Sequence, residues 1–216
     1  MTPVTGDGPF PERSSSALHW CSRLCLLAGG AALVWCAYFW ADAHLYQIIQ
    51  RQRFDASAVS RDIAAAVIAP REVLKTPKPA IGAVLGKIEI PRIGISVMVL
   101  EGDSAPILRH AAGHLESTAI PEEPGNVVIA AHRDTFFRAL RNIRDQDIIT
   151  LTTLTGAYRY QVESIEVVGP NDTGVLADSP ERILTLITCY PFYYVGPAPK
   201  RFIVRARQTS SDSPAR

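Results

Sequence analysis

Cysteine is scarce in most of the chain. Of four in 216 residues, Cys21, Cys25 and Cys36 lie in or beside one apolar stretch near the N-terminus, and Cys189 alone belongs to the remainder. The main part of the chain therefore cannot close an internal disulfide, and no zinc-type Cys/His spacing surrounds Cys189. A surplus of charge is also lacking. With 22 basic and 21 acidic residues the formal net charge is +1, and arginine is dispersed along the chain. Neither a global field nor a basic patch invites nucleic acid, so no nucleic-acid partner is expected. No internal repeat is visible. What the chain does have is 47% hydrophobic residues, enough for a packed core, which excludes wholesale disorder.

From Leu24 to Ala41 the chain reads LCLLAGGAALVWCAYFWA, 18 residues without a charge. A helix of that length spans roughly 27 Å at 1.5 Å per residue, close to the hydrocarbon thickness of a bilayer. Trp35, Tyr38, Phe39 and Trp40 crowd its C-terminal end, where aromatic rings favour the membrane–water boundary. Arg23 at the other end favours a cytoplasmic N-terminus. Arg51, Arg53 and Arg61 lie on the far side, however, so charge alone leaves orientation open. A cleaved signal peptide could use Ala41-Asp42-Ala43, but bulky Phe39 and Trp40 just before it argue against cleavage. A buried core helix is seldom charge-free on every face. An uncleaved transmembrane helix over 24–41 is expected.

The first 16 residues are rich in Pro, Gly, Ser and Thr and read as a disordered tail, so 1–23 is expected to be a cytoplasmic tail. After the span, 43–69 has helix-compatible composition that stops at Pro70, and KTPKP at 75–79 reads as a stiff connector. Residues 42–79 are thus expected to form a helical stalk and linker. From about Ile81 the pattern becomes short β-rich runs with frequent turn signals. These include GKIEIPRIGI (86–95), NVVIAA (126–131), DIITLTTL (147–154), YRYQVESIEVV (158–168), ILTLIT (183–188) and RFIVRAR (201–207). Thr155-Gly156-Ala157 is hairpin punctuation, and FFRALRNI (136–143) fits one or two helical turns. Seven or eight short strands in about 130 residues point to an antiparallel barrel or sandwich. The tail from Gln208 is polar and expected to be loose.

Three segments deliver chemically able residues to strand ends. NVVIAA runs into His132, ILTLIT runs into Cys189, and Arg201 opens the last strand. A thiol with a pKa near about 8.5 needs a base or a cation before it is a good nucleophile at neutral pH. An imidazole can take its proton and return it to a leaving amine, and a guanidinium can donate to the oxyanion of a tetrahedral intermediate. Cys189 and His132 stand 57 positions apart, so their proximity is an inference at this point. A lone thiol is more often a small buried hydrophobe, and a lone histidine is more often a surface or core residue. His19 and His44 flank the apolar span and read as interfacial. His110 and His114, in RHAAGHLEST, read as turn or loop residues.

TLITC at 185–189 matches the signature Thr-Leu-x-Thr-Cys of the sortases, and AAHRDTFFRALRNI at 130–143 resembles the segment carrying the sortase histidine. The last strand, opening at Arg201, resembles the one carrying the sortase arginine. The likeness runs from about Gly86 to Ala206 in the same order. The stretch TCYPFYYVGPAPKRFIV is most similar to class D, and no Asp-Pro-aromatic lid motif occurs between Pro70 and Gly86.

This resemblance implies an all-β catalytic domain over 80–208, with 209–216 a disordered tail. It implies a closed eight-stranded barrel with short helices, preceded by the transmembrane helix and stalk. It implies that Cys189 attacks an LPxTG-like C-terminal sorting signal on secreted proteins, forming a thioester resolved by an amine on a cell-wall precursor or a protein. His132 would be the acid/base, Arg201 the oxyanion donor, and Ala131 and Thr188 would contact substrate. No cofactor or metal is implied. The chain would be a single-pass protein of the bacterial cell membrane with its catalytic domain outside the cytoplasm.

Two positions depart from the family pattern. Ala131 stands where Gly often precedes the histidine, and the usual Gly-His-x-Pro-Gly-Thr becomes Gly113-His114-Leu115-Glu116-Ser117-Thr118. The loop over 169–182 aligns with the one that cradles the signal. Other readings are an L,D-transpeptidase, whose Ser-His-Gly-Cys type motif is absent, and a papain-like hydrolase, whose cysteine precedes its histidine. A membrane-tethered β-barrel that only binds is the alternative from outside the enzymes.

Overall fold

The computed structural model describes residues 15–65 and 78–212. The expected N-terminal tail, the stop at Pro70 and most of the 75–79 connector lie largely or wholly outside them. The chain divides into two units, 1–42 and 43–216. Helix α1 (Ser15–Ala65) begins in the first unit. There it is apolar enough to cross a membrane, and Leu26, Leu27, Leu33 and Trp35 are all more than 65% exposed on its surface.

The second unit begins with the rest of α1 and continues into a closed barrel. Its strands are β1 (Val84–Ile90), β2 (Ile95–Glu101), β3 (Ala112–His114), β4 (Gly125–Ala130), β5 (Ile148–Thr153), β6 (Ala157–Val168), β7 (Arg182–Tyr190) and β8 (Lys200–Asp212). Neighbours around the barrel run β1-β2-β3-β4-β7-β8-β6-β5, and β5 pairs with β1 to close it. Helix α2 (Ala105–His110) and three 3-10 turns at Pro91–Ile93, Arg138–Asn142 and Thr173–Leu176 complete it. The eight-stranded closed barrel is the expected fold. The sheet is not wholly antiparallel, however, because β2 runs parallel to β3 and β4 parallel to β7. Strand β8 also extends beyond the expected tail boundary. Ser211 and Asp212 lie opposite Tyr158 and Ala157 of β6. A polar strand needs no apolar pattern when its backbone groups are paired.

The interior is filled by alternate residues of each strand, as a period of two requires. Ile88, Ile90, Val127, Ile129, Leu151, Tyr160, Leu184, Leu186 and Val204 form its centre, each at most 2% exposed. Gly86 is required where β1 meets β5, because a Cβ there would lie 2.2 Å from the Thr152 carbonyl oxygen.

Residues 43–56 of α1 lie on the barrel instead of standing free as a stalk. Gln47 donates to the His110 carbonyl at 2.6 Å and accepts from the Met98 amide at 2.9 Å. Arg51 donates to the Ser96 hydroxyl, and the Tyr46 ring sits 5.2 Å from that of His110. Tyr46, Gln47, Gln50 and Phe54 recur at helical spacing and are the better-buried residues of this stretch.

On the far side of β5, Asp147 receives hydrogen bonds from the Arg92 guanidinium and, at 2.8 Å, from the Arg144 amide. The Arg92 bonds hold the Asp147 carboxyl below its usual range, against the opposing effect of burial. A depressed folded-state pKa stabilises the fold above the unfolded value near about 4, and that contribution is lost as pH falls through the folded value. Asp147→Asn should therefore lower Tm at pH 7, and the gap to the parent should close as pH drops from about 5 to about 2. A gap independent of pH in thermal melts would contradict this.

Candidate active site

The parallel pairing of β4 with β7 sets the site. Gly125 lies opposite Arg182, and the register holds through Ala130 opposite Ile187, an offset of 57 throughout. The pairing continues past the end of β4, where the Ala131 amide donates to the Ile187 carbonyl at 3.2 Å. His132 follows two residues after the end of β4, at the same rim of the barrel as Cys189 near the end of β7. On the other side of β7, Cys189 lies directly opposite Arg201 of β8. Adjacent strands are about 4.8 Å apart. Cys189 thus has Arg201 beside it on β8, and on its other side the end of β4 that leads to His132.

Face parity agrees with this placement. Val127, Ile129 and Ala131 of the β4 segment, Leu184 and Leu186 of β7, and Val204 and Ala206 of β8 point into the core. The alternate set, which includes Cys189 and Arg201, belongs to the outer face. His132 is exposed, while Cys189 and Arg201 are half-buried. Beneath them Tyr190, Phe192 and Phe202 pack together with centroids 5.1–6.1 Å apart, closing this end of the barrel. The Arg201 guanidinium donates to the carbonyls of Ala198 at 3.2 Å and Lys200 at 3.0 Å.

Ala131 and Thr188 take a structural place. They are 5% and 2% exposed, and the Thr188 hydroxyl donates to the Ala131 carbonyl at 2.7 Å. That bond ties the ends of β4 and β7 together. Asn126 was not anticipated. Buried on the outer face, it accepts from the Thr185 hydroxyl at 2.7 Å and donates to the carbonyls of Val175 and Ala177 at 3.0 and 3.1 Å. It thereby anchors the loop between β6 and β7 onto the strands. Under this loop lies a cavity of about 200 Å³ lined by Glu166, Asp172, Val175, Thr185, Ile203 and Arg205. Thr185 and Cys189 share the outer face of β7, four residues or roughly 13 Å apart.

His114 lies in β3, not in a turn, and is 1% exposed. Its Nε2 is 2.9 Å from the Ala119 carbonyl, which can only accept, so Nε2 carries a proton. Its Nδ1 is 2.8 Å from the carboxylate of Glu101, itself 3% exposed. Thr118 donates to the Leu115 carbonyl and accepts from the Val128 amide. Gly113 is needed because a Cβ would sit 2.3 Å from the Gly102 carbonyl oxygen. The segment Gly113 to Thr118 is therefore a buried polar brace for β3 and β4. Removing one partner of such a pair leaves the other uncompensated, so His114→Ala should cost about 3 kcal/mol or more in urea unfolding. A loss below about 1 kcal/mol would contradict the brace.

Comparisons with known proteins bear on the fold and the family. The family model for the Sortase domain matches residues 88–209. The chain is 35% identical to Sortase D of Bacillus subtilis (strain 168) over 134 residues, covering 62% of this chain and 68% of the relative. It is 27% identical to Sortase A of Staphylococcus aureus (strain NCTC 8325 / PS 47) over 183 residues, 79% of this chain and 88% of the relative. Among solved structures, the Clostridium perfringens Sortase D5 transpeptidase superposes with a TM-score of 0.60 at 28% identity, covering 77% of this chain and 98% of that one. Sortase C from Clostridium perfringens SM101 superposes with a TM-score of 0.57 at 30% identity, covering 74% and 89%.

Proposed function

The chain belongs to the sortase family, and on that premise we propose that it is a membrane-anchored cysteine transpeptidase acting through Cys189, His132 and Arg201. The observation that supports this reading is the strand pairing, in which Cys189 lies opposite Arg201 on β8 and β7 runs parallel to β4, the strand that leads to His132. The apolar part of α1 supplies the single-pass anchor, with the barrel on the extracytoplasmic side.

The substrate is a secreted protein with an LPxTG-like sorting signal, lying along the outer face of β4 and β7 toward the cavity under the β6–β7 loop. The Cys189 sulfur attacks the Thr carbonyl carbon while His132 holds the thiol proton. Arg201 leaves its loop carbonyls to donate to the oxyanion, an interaction worth roughly 3 kcal/mol in the transition state. The C–N bond breaks, His132 gives its proton to the leaving amine, and a thioester remains on Cys189. An amine on a cell-wall precursor or a protein then attacks the thioester. His132 takes its proton, the C–S bond breaks, and the thiol is restored as the new amide forms.

The full chain in detergent is the preparation to test, because residues 43–56 pack on the barrel. A quenched Leu-Pro-x-Thr-Gly peptide with an added amine should give an amide product. Cys189→Ala and His132→Ala should each abolish it, and Arg201→Ala should lower kcat by about 10²-fold or more. Product formation by Cys189→Ala at the parent rate would refute the mechanism.

A further inference from the structure

Arg133 follows His132 directly, and the mechanism above gives it no task. Its guanidinium reaches across to the loop between β7 and β8, residues 191–199. Nη1 donates to the Pro191 carbonyl at 2.9 Å, and Nη2 donates to the carbonyls of Tyr194 at 2.7 Å and Gly196 at 3.1 Å. The guanidinium carbon also lies 5.8 Å from the centre of the Tyr194 ring. Three backbone carbonyls of one loop therefore converge on a single side chain.

The loop has little else to hold it. Tyr193 is 76% exposed and Val195 94%, so neither contributes a buried anchor. Phe192 packs in the aromatic cluster, the Tyr194 amide donates to the Pro191 carbonyl at 3.3 Å, and Arg141 lies over the Tyr193 ring at 5.6 Å. Yet the same loop supplies the Ala198 carbonyl which, with that of Lys200, receives the Arg201 guanidinium. A line of contacts thus runs from Arg133 through the loop backbone to Arg201.

We propose that Arg133 is a positioning residue that fixes the β7–β8 loop and, through the loop's carbonyls, the place from which Arg201 reaches the reacting carbonyl. The assignment rests on the reading of Arg201 as the oxyanion donor. Arginine suits the task because a planar fork can serve divergent acceptors at once, whereas a lysine ammonium is a single point of donation. A charge effect alone would be satisfied by either.

Two measurements on the full chain in detergent test this. Amide hydrogen exchange needs no activity. In Arg133→Ala, residues 192–198 should exchange at least about tenfold faster, with β5 and β6 unchanged. Arg133→Lys should exchange nearly as fast as the alanine variant. Unchanged exchange in a folded Arg133→Ala protein would overturn the clamp, and so would full protection in Arg133→Lys. The second measurement is a kinetic cycle with the sorting peptide. Arg133→Ala should lower kcat by about tenfold with KM within about twofold. In an Arg201→Ala background the same change should cost less than about twofold. Equal losses in both backgrounds would overturn the link to Arg201. A parent chain that turns over no peptide would refute the transpeptidase reading, while loop exchange would still decide whether Arg133 holds the loop.

Discussion

The parallel contact between β4 and β7 is the constraint on which the rest of the molecule depends. An antiparallel neighbour would send the ends of these two strands to opposite rims of the barrel. Parallel pairing sends both to one rim, so His132, two residues past β4, leaves from the same rim as Cys189. Because β8 is antiparallel to β7, its first residues return to that same rim, and Arg201 arrives opposite Cys189. Period-two alternation then turns Cys189 and Arg201 to the outer face, leaving the interior to apolar residues. Three distant stretches of chain meet through backbone pairing alone, before any side chain interacts with another.

That contact is held by buried polar groups as well as by the ladder. Thr188 bonds Ala131 at one end of the strand pair, and Thr185 bonds Asn126 nearer the other. A mismatch of one residue would leave these groups unpaired in the interior at a cost of about 1–3 kcal/mol each, besides turning the apolar residues outward. They therefore specify register more than they add stability. Asn126 extends the same logic outward, since its amide also fixes the loop over the candidate groove. The brace built from Glu101, His114 and Thr118 does the equivalent work on the β3 side.

Much of this was legible in the sequence, for reasons that are local. The run NVVIAA ending at His132 and ILTLIT ending at Cys189 declare buried strands by composition and delivery points by their last residue. The uncharged stretch 24–41 declares itself by length. What stayed hidden is non-local. Nothing in either run says that β4 and β7 lie side by side in the same direction, so a wholly antiparallel barrel was the simpler expectation. His114 looked like a turn residue because its partner, Glu101, lies 13 positions away. The β8 extension to Asp212 carries no apolar pattern, and its pairing with β6 supplies all of its reason to be a strand. The bond from Thr188 to the Ala131 carbonyl was equally hidden, because the two residues lie 57 positions apart. Residues 43–56 of α1 carry no local sign of their barrel contacts, because Ser96, Met98 and His110 lie 45, 51 and 63 positions from their partners.

The spatial claim at the centre can be tested without substrate. In a chain with Cys21, Cys25 and Cys36 replaced by Ser, His132→Cys should form an intrachain disulfide with Cys189 on mild oxidation, because laterally adjacent strand positions fall within the range of about 4.4–6.8 Å between Cα atoms that such a bond needs. Peptide mapping should recover that linkage in most of the protein, while Asp134→Cys, two residues further on, should remain largely unlinked. Free thiols in the His132→Cys chain after oxidation, with Cys189 still open to alkylation, would contradict the account.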